Sequence, residues 1–183
     1  GELVGQKIRD KNKKFQITGC VKDTFFGQHL WPNGGKKLIV CEGEIDCLTV
    51  SQLGSNKYPC VSIPNGTESA KSAFKKNLKW LELFDEVVLM FDMDEAGQKA
   101  VSECVSIIPT GKAYVAKLPG KDPNALLMEG KAQDVVRAMF DAKQWSPVNI
   151  IDGADLFERI STLKKNDSIP YPFKGLTEKT KGL

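Results

Sequence analysis

The stretch EVVLMFDMDEAG, residues 86–97, decides the fold. After Glu86 it is apolar up to residue 91, and such a run is typical of a strand buried on both faces of a parallel sheet. The run ends abruptly at Asp92 and Asp94, and a helical pattern follows. A buried strand that leads into a helix in this way places both aspartates at the carboxyl end of the strand, where α/β sheets bind their ligands.

Similar units of strand and helix lie on both sides of this stretch. The predicted strands are residues 37–41, 58–64, 86–91 and 113–118, and the predicted helices are residues 44–53, 67–84, 95–107, 124–129 and 134–143. Parallel neighbours need crossover connections of this kind. We therefore predict an α/β fold with a roughly four-stranded parallel sheet and helices on both faces.

The two flanks differ from this core. Residues 1–31 have the pattern of a basic β-hairpin, and the chain begins almost inside a strand, so we expect it to come from a larger protein. Near the other end, residues 154–163 predict a short amphipathic helix. The polar tail that follows has too little apolar content to fold alone and is typical of a linker.

The composition is that of a soluble globular protein. The 183 residues are 41% hydrophobic and 27% charged, with a formal net charge of +3. Local basic clusters, as in residues 7–14, permit a polyanion partner, although most such clusters are solvated surfaces. Because there is neither a membrane-spanning run nor a secretory pattern, we expect a cytoplasmic protein without a membrane partner.

The cysteines argue against a zinc site. There are five of them without a C-x-x-C pair, and His29 is the only histidine. Cys41, Cys60 and Cys104 lie in apolar runs, where free thiols behave as small buried hydrophobic groups. This use of cysteine is typical of a reducing compartment.

Acidic residues follow three of the predicted strands. Glu42 follows the first strand, Asp92 and Asp94 follow the third, and Asp122 follows the fourth. Carboxylates gathered at one sheet edge repel one another unless a cation compensates them. Oxygen ligands without histidine or thiolate favour Mg²⁺ or Mn²⁺ over zinc. The pattern therefore indicates metal-assisted chemistry at phosphate groups.

Three of the acids also have an ordinary explanation. Asp94 is a possible cap of the following helix, Asp122 a helix start, and Asp46 a solvated residue one turn after Glu42. Their coincidence at successive strand ends favours the metal site. The sequence contains neither a G-x-G-x-x-G nor a Walker motif, so it has no P-loop.

At these residues the sequence resembles the Toprim domain of primases. The resemblance rests on EGEID (42–46), FDMDEAGQKA (91–100) and KDPNALL (121–127), which are specific only in combination. The segments QKIRDKNKKFQITG (6–19) and FGQHLW (26–31), with NGGKKLIV after them, are similar to bifunctional phage primase–helicases of the gene 4 protein type. The same segments resemble the mitochondrial helicase Twinkle more distantly.

The resemblance implies a domain organisation and a set of partners. Residues 1–35 would end a basic N-terminal subdomain, residues 36–130 form the Toprim catalytic domain, residues 131–150 a helical tail, and residues 151–183 a linker helix and the entry to a helicase domain. The implied activity is DNA-directed synthesis of RNA primers from NTPs on single-stranded DNA, incomplete in this chain. The parent would also unwind DNA as a ring oligomer, whose subunits pack through the linker helix.

The resemblance also assigns roles to the acids. Glu42, Asp92 and Asp122 would be the principal magnesium ligands, with Asp94 and Asp46 assisting. Glu42, Asp92 and Asp94 would be catalytic, with Glu42 accepting the proton of the primer 3′-hydroxyl. Lys7, Arg9 and Lys13, a separate basic group, would contact template or nucleotide phosphates.

Two other functions stay open from the sequence. A Toprim nuclease or topoisomerase shares these motifs, although a topoisomerase needs a tyrosine nucleophile, and Tyr58, Tyr114 and Tyr171 lie in no suggestive context. A primase half without activity would serve only as a DNA-binding collar for a helicase. The intact acids argue against that loss.

Overall fold

A computed structural model gives the structure of the chain. It describes residues 3, 5–11, 15–19, 21, 24–147, 153, 156–157, 161 and 171–180, without the side chains of Arg9, Thr177 and Thr180. The chain divides into two compact units, Gly1–Trp145 and Ser146–Leu183. The first unit contains the predicted α/β core.

The core is a five-stranded sheet in the order β4-β3-β5-β6-β7, and a separate antiparallel hairpin consists of β1 and β2. The strands are β1 Gly5–Arg9, β2 Phe15–Gly19, β3 Gly35–Cys41, β4 Cys60–Ser62, β5 Phe84–Met90, β6 Ala113–Val115 and β7 Lys143–Gln144. The first four sheet strands are parallel, which confirms the predicted parallel sheet. The fifth, β7, is antiparallel to β6 and was not predicted.

Helices cover both faces of the sheet, as predicted. They are α1 Glu44–Leu53, α2 Thr67–Lys76, α3 Leu78–Leu81, α4 Glu95–Val105, α5 Pro123–Met128 and α6 Ala132–Phe140. A further helix, α7 Lys174–Thr180, belongs to the second unit. One face of the sheet packs against α2, α3 and α4, through residues such as Phe74 and Val101. The other packs against α1, α5 and α6, through residues such as Val50 and Met139.

Strand β5 contributes to both cores. Val87 and Leu89 belong to one core and Val88 and Met90 to the other, and all four are fully buried. Successive side chains of a strand point to opposite faces, so the part of β5 that is covered on both sides, residues 87–90, has no polar position. This confirms the interpretation of the apolar run that ends at Asp92.

Two predicted helices were too long. The helix predicted over residues 67–84 is interrupted at Asn77, whose side-chain amide donates to the carbonyl of Ala73 at 2.9 Å. Asparagine competes for backbone groups in this way and commonly ends helices. The chain then enters β5 at Phe84, and the helix predicted over residues 134–143 also ends early, before β7.

The flanks fit the predictions in part. The hairpin of β1 and β2 is confirmed. The tail, which was predicted not to fold alone, contains the short helix α7, whose lysine and glutamate residues have good helix propensity. Most of the helix predicted over residues 154–163 lies outside the described residues. Within the described part of the chain, no helix combines the length and the apolar character that crossing a membrane requires.

Candidate metal centre

Glu42 and Asp92 leave neighbouring strands at the same edge of the sheet. Cys41, the last residue of β3, pairs in parallel register with Met90, the last residue of β5. Glu42 follows Cys41 directly, and Asp92 follows Met90 after the buried Phe91. The register of the two strands therefore brings these carboxylates to one level at the carboxyl edge.

Glu42 has a buried oxygen that its surroundings do not satisfy. Its Oε2 atom has no hydrogen-bond partner among the described residues. Burial raises the pKa of Glu42, against the opposing effects of a backbone hydrogen bond at Asp92 and the charge of Lys121. A buried carboxylate oxygen without a donor is costly, and a bound cation would remove this cost.

Asp92 is surrounded by like charge. Burial and then the charges of Glu42, Asp46, Asp122 and Asp94 raise its pKa to about 7. The other four predicted metal-site acids are therefore all close enough to Asp92 to act on it electrostatically. This mutual repulsion is the property that a divalent cation would relieve.

Helix α4 approaches the site closely because residue 97 is glycine. A Cβ atom there would lie 2.3 Å from the Asp92 carbonyl oxygen and 3.1 Å from Glu42 Oε2. The Gly97 N–H donates to Asp94 Oδ1 at 2.8 Å, so Asp94 caps α4. The Gln98 side chain donates to the Asp92 carbonyl at 3.0 Å. Sequence analysis assigned no role to Gln98, although it lies within the motif FDMDEAGQKA.

Asp122 and Asp46 bind the first turn of α5. Asp122 Oδ1 accepts the N–H of Ala125 at 2.6 Å, and Asp46 Oδ1 accepts the N–H of Asn124 at 3.1 Å. Burial raises the pKa of Asp46. Asp94 and Asp122 are thus helix caps as well as members of the acidic edge, so the ordinary explanation is correct for both. The metal-site prediction is compatible with it and stays a prediction.

The donor set fits a hard divalent cation. Within the described residues, no three acidic, histidine or cysteine side chains are arranged as a ready-made metal-binding group. Mg²⁺ usually keeps several waters and takes only one or two carboxylates together with substrate phosphates. The unpartnered Glu42 oxygen and the surrounding carboxylates suit such an open site.

The hairpin is tied to this edge by Lys7. The Lys7 ammonium lies 2.7 Å from Glu44 Oε1, in the first turn of α1, and 4.7 Å from the ring centre of Phe15. Sequence reasoning missed Glu44, although it lies two residues after Glu42. The Arg9 side chain and Lys13 lie outside the described residues.

Sequence comparisons show that the chain is similar to primases. A family model described as Toprim-like matches residues 39–127. A DNA helicase/primase of Enterobacteria phage T3 is 40% identical over 100% of this chain and 33% of its own length. A DNA primase of Chlamydia pneumoniae is 32% identical over 60% of this chain and 18% of its own length. The chain thus spans a third or less of the length of these relatives.

The chain is also similar to solved structures of primases. The primase fragment of the bacteriophage T7 primase-helicase matches with a TM-score of 0.73 and 47% identity, over 75% of this chain and 58% of that one. A complex of the T7 lagging-strand DNA polymerase with primase domains of two gp4 subunits, bound to an RNA/DNA hybrid and dTTP, matches with a TM-score of 0.73 and 46% identity. That match covers 77% of this chain and 72% of the other.

Proposed function

The chain belongs to the Toprim-containing primases of the phage primase–helicase type, and on this basis we propose that it is the catalytic part of a DNA primase within a replicative primase–helicase. The proposed reaction is template-directed synthesis of an RNA primer by Mg²⁺-dependent nucleotidyl transfer. Toprim and primase families generally use divalent metal ions. The observation that carries the proposal is the unpartnered, buried Glu42 oxygen within a group of mutually repelling carboxylates.

Glu42, Asp92 and Asp122 are the proposed principal ligands, with Asp94 and Asp46 assisting. When bound, the metal would lower the pKa of the attacking hydroxyl and offset the charge of the phosphates. Mn²⁺ is a suitable substitute because it takes the same oxygen ligands. Gly97 keeps the space between the Asp92 backbone and the Glu42 carboxylate free of a side chain.

Glu42 is the proposed proton acceptor. The 3′-hydroxyl oxygen of the primer attacks the α-phosphorus of the incoming NTP, the bond from that phosphorus to the bridging oxygen breaks, and pyrophosphate leaves. The hydroxyl proton passes to the Glu42 carboxylate. In the metal-free chain burial raises the pKa of this group, so its carboxylate binds a proton more readily than an exposed glutamate does.

The hairpin is the proposed binding surface for template and nucleotide phosphates. A lysine ammonium has three N–H donors, and the Glu44 contact of Lys7 uses one of them. With Arg9 and Lys13, Lys7 would give affinity that falls with salt and carries no sequence information. The helicase domain of the parent and a ring oligomer formed through residues 154–163 are the further partners that we propose.

Primer synthesis by the parent protein tests the proposal. Asp92→Asn should lower oligoribonucleotide synthesis on single-stranded DNA by at least about a hundredfold, because it removes a charge from the reacting edge. DNA unwinding should be retained, and Asp85→Asn, at the opposite end of β5, is the matched control. Retained primer synthesis in Asp92→Asn would refute the proposed function. Nicking of plasmid DNA in the presence of Mn²⁺ would instead indicate a Toprim nuclease.

A further inference from the structure

Two side chains of α1 hold one residue of α5. Asp46 and Thr49 are three residues apart, so they lie on the same face of the helix. Asp46 Oδ1 accepts the main-chain N–H of Asn124 at 3.1 Å, and the Thr49 hydroxyl donates to the side-chain oxygen of Asn124 at 3.4 Å. Thr49 is a buried polar residue of the core. In sequence, Thr49 lies 75 residues and Asp46 lies 78 residues before Asn124, so the two hydrogen bonds join distant segments.

The contact completes the first turn of α5. The first helical position is Pro123, which has no N–H to satisfy. The N–H of Asn124 goes to Asp46, and the N–H of Ala125 goes to Asp122 at 2.6 Å. Each of the two N–H groups therefore has its own carboxylate acceptor. Because Asp122 bonds to the same turn that Asp46 bonds to, the two aspartates are linked through the first turn of α5.

The oxygens of Asp46 face the protein. A Cβ atom on Gly43 would lie 2.7 Å from Asp46 Oδ2, so this oxygen packs against the backbone that follows Glu42. Glu42 differs, because its buried Oε2 has no hydrogen-bond partner among the described residues.

We propose that Asp46, Thr49 and Asn124 form a bracket between α1 and α5 that positions Asp122. In this arrangement Asp46 assists the metal centre as a positioning residue and is not itself a ligand. The inference rests on the proposed function, since it concerns the metal that this function requires. It also assigns a role to Thr49 and to Asn124, which the motif-based prediction left without one.

Replacing either aspartate by asparagine separates the two roles. Asp46→Asn and Asp122→Asn each keep an oxygen that can accept an N–H of α5, and each removes one negative charge. A ligand should lose its function in this exchange, whereas a positioning residue should keep most of it. Asp46→Ala and Thr49→Val instead remove bracket contacts directly.

Calorimetric titration of the 183-residue chain with Mg²⁺ and with Mn²⁺ is the test. Asp122→Asn should weaken binding by more than about tenfold, while Asp46→Asn should weaken it by less than about fivefold. Asp46→Ala should weaken binding about tenfold or more, since loss of an outer contact of this kind typically costs about 10–100-fold. Asp85→Asn is the control for loss of a distant charge.

Amide exchange gives a second readout that metal ligation alone would not change. In the metal-free chain, exchange at Asn124 and Ala125 should rise in Asp46→Ala and stay near the wild-type rate in Asp46→Asn. If Asp46→Ala does not fold, the comparison of Asp46→Asn with Asp122→Asn still decides between the roles.

Two results would overturn the inference in different ways. If Asp46→Asn and Asp122→Asn lose the same amount of cation affinity, and the wild-type chain binds the cation normally, Asp46 is a metal ligand. The proposed function would then remain intact. A wild-type chain that binds neither cation at millimolar concentration would overturn the metal centre itself, and the bracket role with it.

Discussion

Lys7 and Glu44 form a 2.7 Å ion pair between the basic hairpin and the helix that starts beside Glu42. Their side chains are only 20% and 27% exposed, which distinguishes the pair from the fully solvated ion pairs of the surface. The pair joins residues 37 positions apart. The surface proposed for phosphate contacts is therefore fixed relative to the acidic edge.

A double-mutant cycle should detect this contact. Lys7→Met and Glu44→Gln should each destabilise the chain, with a coupling of about 0.5–1 kcal/mol in the free energy of unfolding. Urea unfolding of the wild type, the two single variants and the double variant measures it. The exposed pair Lys131–Glu129 has the same 2.7 Å separation and should show no measurable coupling. Equal coupling in both pairs would contradict a special role for the first.

Gly97→Ala should damage both fold and site. The added methyl group meets the Asp92 carbonyl oxygen and the Glu42 carboxylate, so α4 must move away from β5. We expect a loss of about 1–3 kcal/mol in the free energy of unfolding, together with weaker Mg²⁺ binding. The control is Gly175→Ala in α7, where a Cβ atom meets nothing within 4 Å. Normal stability in Gly97→Ala would show that the approach of α4 is not required.

The metal-free chain should lose stability as the pH rises through neutrality. The pKa of Asp92 is raised from 3.8 to about 7, so the folded chain binds this proton more tightly than the unfolded chain does. The resulting stabilisation is fully present below pH 3.8 and is lost as the pH rises through about 7. Asp92→Asn should therefore raise the melting temperature in EDTA at pH 8.

For a chain of this size we expect a rise of about 2–4 °C, which corresponds to roughly 1 kcal/mol. The difference between Asp92→Asn and the wild type should shrink as the pH falls towards 4. Asp85→Asn, which changes an exposed residue at the other end of β5, controls for net charge. An unchanged or lower melting temperature at pH 8 would contradict the repulsion between the carboxylates.

Native thiols should be unreactive. Cys41, Cys47, Cys60 and Cys104 are buried free cysteines, as predicted for three of them. Burial raises the pKa of Cys104 to about 12, so its reactive thiolate is scarce at pH 8. We expect these four thiols to react with Ellman's reagent only when the chain is unfolded in guanidinium. Rapid reaction of any of the four in the native chain would contradict their burial.

Local patterns were enough to predict the central strand and the acidic edge. The run before Asp92 is uninterrupted because β5 is covered on both faces, and a parallel sheet must bring Glu42 and Asp92 to the same edge. The interruption at Asn77 depends on one side-chain hydrogen bond. That bond competes with an otherwise helical pattern, so the pattern did not reveal it.

Contacts between distant segments could not be predicted. Two examples are the Lys7–Glu44 ion pair and the hydrogen bond from the Asn124 N–H to Asp46. Both depend on how the helices and strands pack together, and local sequence periodicity does not indicate them. The two-residue strand β7 forms only because β6 offers it a partner. The metal-binding roles of the acids, which rest on the resemblance, stay predictions until cation binding is measured.

Strand β7 limits where the chain can be truncated. It occupies the free side of β6, pairing Gln144 with Tyr114, and the Trp145 N–H donates to the carbonyl of Ala113 at 2.8 Å. An uncovered edge strand invites pairing with another chain and hence aggregation. A version of the protein that stops before Lys143 would open that edge and should self-associate, whereas a version that extends through Trp145 keeps β6 paired.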